Sequence, residues 1–349
     1  MALAVAGVVV IASCGGGSRL ASHRVAAQPQ AVPVAGYAGP AALATYTERA
    51  PHVLSQLTME DGVQAGVNGA PSAPPSDLAP LSPASLSAPI AAYRVFAGRQ
   101  LGLMKSQIAQ LQDALAAGDR TGAQNAWRGA FFDYLELGAV YLEGPIAGLN
   151  QAIDGNAGGL AGGSASPQFS GLHRLELGLW TGASLQSLVS WTRRLSLDVA
   201  RLGVILPHAQ IAPLDYATRA HEILEDAVRD LLSGTDVPWS GEGVLGTAAG
   251  IAATSEVIST LRPLLIPRDA VLPAVDAQLG VLKAAMASIK AAHGGRLPTN
   301  AQLTQQQAEL LDNAIGGALE ALAQVPGALE TTSTPVIAQI PRSAIRIDP

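Results

Sequence analysis

A single cysteine in 349 residues excludes an intramolecular disulfide framework and any CxxC metal or redox site. Charged residues make up only 14% of the chain, against a usual quarter. The net charge is −6 and no basic tract is present, which argues against a nucleic-acid partner. Aromatics supply 4% while hydrophobic residues supply 48%, so the apolar content is mostly Ala, Leu and Val. That balance also argues against a disordered chain, which needs low hydrophobicity and high charge. No run of alternating β-branched residues is long enough for a sheet. There is no GxSxG, no P-loop, no GxGxxG in a strand–helix context and no HExxH zinc motif. The length suits one large domain or two modest ones.

What is present begins at the N-terminus. Leu3 to Ala12 is a ten-residue apolar run, too short to span a bilayer and of the length of a signal-peptide core. It leads into Ile11-Ala12-Ser13-Cys14 and then Gly15-Gly16-Gly17-Ser18. This looks like a bacterial lipobox, with Cys14 as the lipidated residue and a flexible tether behind it. No Lys or Arg precedes the run, a departure from the usual positive start. The expected organisation is a signal peptide at 1–13 and a lipid-anchored, Pro/Ala/Gly-rich tether at 14–86, with one short helix near 41–57. A helical domain follows at 87–330, then a tail at 331–349. Such a protein is extracytoplasmic and held at the membrane by acyl chains. No other stretch reaches transmembrane length without polar interruption.

From about Ser87 the pattern turns helical. Ala97, Leu101, Met104, Ile108, Leu111 and Leu115 mark one face of a long helix. Gly118-Asp119 reads as a stop followed by an N-cap. A second helix is expected from about Arg120 to Val140, with a continuation past Pro145, ahead of a Gly-rich loop at 154–168. A helical stretch starts near Phe169 with a break at Gly182, and another runs from Pro213 to Gly234. Further helices are expected at 243–265, 268–292 and 304–325. The last is opened by a Thr304/Gln307 capping box and carries an apolar face of Leu311, Ile315, Ala318, Leu322 and Val325. The fold class is therefore all-α, an antiparallel helix bundle.

In a bundle with few charges, an inward carboxylate or imidazole is costly unless paired or bound to a metal. Of the six histidines, His23 and His52 lie in the tether, His208 in a loop after Pro207, and His293 at a helix end. His173 and His221 remain. His173 and Glu176 form an HxxE pair, three apart on one helix face, able to chelate one ion. Imidazole with carboxylate suits iron, zinc, copper or manganese. His221 with Glu225, and Glu222 with Glu225, offer similar spacings, and a solvated face beside Arg219 and Arg229 is the plainer alternative.

Three segments, in order, widen this view: Tyr134-Leu135-Glu136-Leu137-Gly138, then Ile153-Asp154-Gly155, then Phe169 to Trp180 with His173-Arg174-Leu175-Glu176 at its centre. Together with His221-Glu222-Ile223-Leu224-Glu225 and Leu261-Arg262-Pro263-Leu264-Leu265, they resemble the imelysin-like family, and within it the EfeO-type iron-uptake lipoproteins. The resemblance covers roughly residues 88–330. It implies two related four-helix bundles and a metal site between helices. The matching ligand positions are His173, Glu176 and Glu136, with Glu222, Glu225 and His221 as further candidates. It implies iron as the ion, with zinc or copper as alternatives, and a membrane permease within an Efe-type system as partner. It implies no enzymatic activity. The chain departs from the family at Tyr141-Leu142-Glu143-Gly144-Pro145, at Trp239-Ser240-Gly241-Glu242-Gly243 and at Ala252-Ala253, where family carboxylates or a histidine are missing. It also lacks a cupredoxin-like ligand set. A helical scaffold that keeps the fold with a degraded site is therefore the alternative reading, and a metallopeptidase is the least supported.

Overall fold

The computed structural model describes residues 81–329 apart from 141–144, 159 and 269–270. The expected signal peptide, Cys14, the helix near 41–57 and the tail 331–349 lie outside the described residues, as does all of the tether up to residue 80. Residues 81–86, assigned to the tether by composition, already pack on the domain: a 3-10 turn spans Pro83–Leu86, and Leu86 is fully buried.

The described residues are helical with no sheet. Helix α1 spans Ser87–Ala117, α2 Arg120–Leu135, α3 Pro145–Ile153, α4 Gly171–Trp180 and α5 Leu185–Ile205. Helix α6 spans Pro213–Asp226 and continues as a wider π turn over Ala227–Leu232. Then come α7 Gly243–Leu265, α8 Leu272–Ala292, α9 Gln305–Leu322 and the single turn α10 Val325–Ala328. Helices α1, α2, α4 and α5 pack in a closed ring of neighbours, and so do α6, α7, α8 and α9. Helix α7 also touches α1 and α2, and the buried residues run as one continuous core from Leu86 to Leu329.

Local chemistry explains most boundaries. The α1 stripe predicted from spacing, Ala97 to Leu115, is entirely buried. Gly118 closes α1 in the left-handed conformation (φ +74°), and the Asp119 side chain then accepts from the Gly122 amide at 2.9 Å to open α2. Gly182 (φ +83°) breaks the chain after α4, and Ser184 caps α5. Thr304 and Gln307 form the expected capping box at α9.

Two boundaries differ from expectation. Helix α2 stops at Leu135 rather than Val140, because the following carbonyls have other partners. Tyr93 donates to the Glu136 carbonyl at 2.9 Å, and Arg219 donates to the Gly138 carbonyl through Nε (3.1 Å) and Nη2 (2.8 Å). Helix α8 starts at Leu272 rather than 268, with a proline in its first turn that lacks the amide a longer helix would need. Helix α7 is long and apolar enough to cross a membrane by composition alone, yet 13 of its residues are buried in the core, including Gly246, Thr247 and Thr254.

Trp127 anchors the N-terminal ring. It is fully buried, stacks on Phe131 at 4.9 Å, meets Trp180 edge-on at 5.1 Å, and donates from Nε1 to the Leu172 carbonyl at 2.8 Å. It thus fastens α2 to the start of α4. Trp127→Ala should cost about 3–5 kcal/mol of stability, as a large cavity and an orphaned carbonyl together require. Urea unfolding followed by circular dichroism measures it.

Candidate metal centre

The centre is built where three distant segments meet. Helix α3 ends at Ile153, and the next two residues cross the start of α4 at backbone contact. Both crossing points are glycine. A Cβ on Gly155 (φ +78°) would lie 1.7 Å from the Ser170 carbonyl oxygen, and one on Gly171 (φ +71°) would lie 2.3 Å from the Ile153 carbonyl oxygen. Only glycine tolerates that geometry and that crowding. The crossing lets the Asp154 carbonyl accept from the His173 amide at 3.0 Å. Asp154 and His173 are thereby locked side by side.

Helix α4 turns His173 and Glu176 to one side, three residues apart. His173 is 1% exposed and Glu176 is 0% exposed. His173 Nδ1 and Glu176 Oε2 are 2.9 Å apart. The other Glu176 oxygen accepts from the backbone amides of Trp239 (3.2 Å) and Ser240 (2.8 Å). Glu176 therefore has both oxygens engaged, and its carboxylate fixes the proton on Nδ1. That leaves Nε2 as the free face of the ring.

The third segment is the turn after the π stretch. The Asp236 amide donates to the Asp230 carbonyl at 2.9 Å, and the Asn156 side chain donates to Asp236 Oδ1 at 2.8 Å. Asn156 in turn accepts from the Gly158 amide at 2.8 Å, so the Gly-rich loop holds Asp236 in place. The same turn that presents Asp236 supplies the two amides to Glu176.

His173 Nε2 lies 3.4 Å from Asp154 Oδ1 and 3.4 Å from Asp236 Oδ1. These contacts are too long to be good hydrogen bonds, and Nε2 is buried with no hydrogen-bond partner. The spacing fits a shared ion. Two donors each about 2.1 Å from one metal stand roughly 3–3.5 Å apart, for right-angle to tetrahedral arrangements. The three donor atoms all lie within 4.8 Å of one another. The two aspartate side chains keep 21% and 13% exposure while the imidazole keeps 2%, so the donor set opens to solvent on its carboxylate side.

The electrostatics agree. Burial alone would push the His173 pKa down, but the Asp154 charge, with Asp236 and Glu176 close by, outweighs it and raises the pKa well above the usual 6.5. Burial raises the Asp154 pKa, with His173 opposing, whereas at Asp236 the contact to His173 overcomes burial and lowers it. Without a metal the imidazole carries a proton between carboxylates, which is the place a cation can take. An aromatic ring walls the buried side: Phe131 meets His173 edge-on at 5.8 Å.

Of the residues singled out by sequence, the structure brings His173 and Glu176 together, with Glu176 behind the imidazole rather than beside Nε2. Glu136 sits apart from this group. It is 6% exposed and accepts a hydrogen bond from Gln100, near the charges of Asp133 and Glu256. His221 and Glu225 pair with each other at 3.3 Å, and Glu222 pairs with Arg219 at 2.8 Å, all on α6. Asp154 and Asp236, which complete the candidate group, carry no ligand signal in the sequence pattern. Asp154 lies in the Ile-Asp-Gly segment, where the glycine was the available signal. Asp236 carries no helical periodicity and reaches His173 only through the tertiary fold.

No family model matches the chain. It is similar to the iron uptake system component EfeO of Yersinia pseudotuberculosis, 23% identical over 277 residues, covering 78% of this chain and 73% of that protein. The EfeO of Yersinia pestis is 24% identical over 254 residues, covering 72% and 66% respectively. The EfeO of Escherichia coli is 24% identical over 250 residues, covering 70% and 64%. The match thus spans about two thirds of the length of these relatives.

The separate Glu136 cluster has its own consequence. Burial, with the charges of Asp133 and Glu256, pushes the Glu136 pKa up to about 7, and burial pushes Asp133 up to about 6. A carboxyl whose folded pKa lies above its unfolded value of 4.5 favours the protonated folded state. Stability is then lost as pH rises from the unfolded value through the folded one. Glu136→Gln keeps an acceptor for Gln100 and removes the titration. It should stabilise the protein by roughly 1–3 kcal/mol at pH 8 and by almost nothing at pH 4, as read from urea midpoints.

Proposed function

We propose, starting from this chain's place among the EfeO-type iron-uptake components, that it binds one iron ion through His173, Asp154 and Asp236 and passes it on to a membrane permease. The reading rests on one observation above all, the buried His173 Nε2 facing two carboxylate oxygens at equal distance, too far from either for a good hydrogen bond. Two hard oxygen donors and one borderline nitrogen suit ferrous or ferric iron, and the same set would accept zinc or copper with less selectivity. Glu176 acts behind the imidazole. It holds the Nδ1 proton, sets the ring orientation and makes Nε2 the donor.

The chain's own residues also favour release. The carboxylate side of the centre is open while the imidazole side is closed by Phe131, so an ion can leave without unfolding the site. The role is that of a carrier, not of a catalyst. Lipidation at Cys14 and a tether running to about residue 80 would keep the domain outside the cytoplasm and near the permease. Glu136, Glu222, Glu225 and His221 fall outside the proposed ligand set.

Calorimetric titration with ferrous iron under anaerobic conditions, repeated with zinc, tests this directly. Wild type should take up one ion per chain. Asp236→Asn should weaken it at least tenfold, Glu176→Gln 10–100-fold, and His173→Ala at least 100-fold, while Glu136→Gln stays within twofold. Below the raised His173 pKa, affinity should fall about tenfold per pH unit, because the metal must displace one proton from Nε2. Unchanged affinity in folded His173→Ala would overturn the ligand assignment. No binding by wild type would favour the scaffold reading.

A further inference from the structure

Helix α5 works against the overall charge of the chain. The protein carries a net −6, yet α5 has Arg193, Arg194 and Arg201 against a single acid, Asp198. That acid is 4% exposed and already committed. Arg201 Nη1 donates to its Oδ1 at 2.7 Å, and Arg194 Nε approaches its Oδ2 at 3.9 Å. One carboxylate therefore answers two of the three guanidinium groups, and Arg193 pairs with no carboxylate among the described residues. The Arg194 and Arg201 side chains remain 56% and 68% exposed, so most of their donors face outward.

These arginines line a cleft of about 660 Å3 between α3 and α5, within the size range of small-molecule sites. The α3 wall is apolar, from Leu149 and Ala152, while α5 adds Leu197, 62% exposed, together with Ser190 and the Asp198 carboxylate that Arg201 and Arg194 already neutralise. Positive charge in a concave site focuses the field on small anions. Planar guanidinium forks match carboxylates in bidentate fashion. The apolar wall wants a carbon skeleton between the acidic groups, which a bare inorganic anion lacks.

We propose that the α3–α5 cleft binds a small polycarboxylate anion beside the metal centre. Ala152 lines the cleft, and Asp154 follows two residues later, just past the end of α3, so an anion held there rests on the helix that leads into a proposed metal ligand. Small polycarboxylates hold ferric iron in soluble chelates. A cleft for them next to the centre would let the protein receive iron with its carrier. That link to iron rests on the proposed function above, whereas the anion site itself does not.

The test uses the full chain, stripped of metal, and tricarballylate, which has three carboxylates and chelates iron weakly. Isothermal titration should give saturable one-to-one binding, weakened at least tenfold in Arg193→Glu. Arg193 is exposed and unpaired, so this variant should fold. Arg201→Lys, which keeps a cation beside Asp198, should weaken binding at least threefold by losing the fork. His173→Ala should leave it unchanged. Tricarballylate binding by a wild-type chain that takes no metal would uphold the cleft and defeat only the iron reading. Absence of saturable binding, indifference to Arg193→Glu, or inorganic phosphate binding as tightly as tricarballylate would overturn the proposal.

Discussion

The contact between His173 and Glu176 is the constraint on which the rest of the site depends. A fully buried carboxylate is tolerable only when both oxygens find donors. Here one oxygen meets Nδ1 and the other meets the Trp239 and Ser240 amides. The arrangement does two jobs together. It orients the imidazole from α4 and pins the turn after α6, which carries Asp236. Remove the Glu176 carboxylate and the ring can rotate, the turn loses its anchor, and Asp236 is no longer held opposite Nε2.

Backbone crowding supplies the remaining donor. Gly155 and Gly171 let the end of α3 lie directly on the start of α4, so Asp154 reaches the ring from the side opposite Glu176. Trp127 reinforces the junction from below by holding the Leu172 carbonyl. The centre is thus made of elements far apart in sequence, each fixed by hydrogen bonds independent of any ion. Such preorganisation lowers the ordering cost of binding. In the proposed function, the proton shared among imidazole and carboxylates would set the competition that an incoming ion has to win.

Much of the architecture could be read from spacing. The stripe from Ala97 to Leu115 and the face from Leu311 to Val325 are buried as their periodicity requires, and the caps at Asp119 and Thr304 form. Helix periodicity works there because it depends on neighbours a few residues away. The site was only half legible for the same reason. His173 and Glu176 lie on one helix turn and could be paired from sequence. Asp236 is brought to the ring by a turn between two helices, and no local pattern marks it. Glu136 was carried in by family resemblance, yet α2 ends just before it and the structure gives it Gln100 as its partner. Where α2 stops was itself illegible, since Tyr93 and Arg219 come from elsewhere in the chain to take the freed carbonyls.

The central claim concerns the identity of the donors around the ion, and X-ray absorption at the iron edge reads them most directly. The iron-loaded protein should show oxygen donors and one imidazole at about 2.0–2.2 Å, with the imidazole multiple-scattering signal lost in His173→Ala. An imidazole-free spectrum, or one with two imidazoles, would contradict a centre built from His173, Asp154 and Asp236.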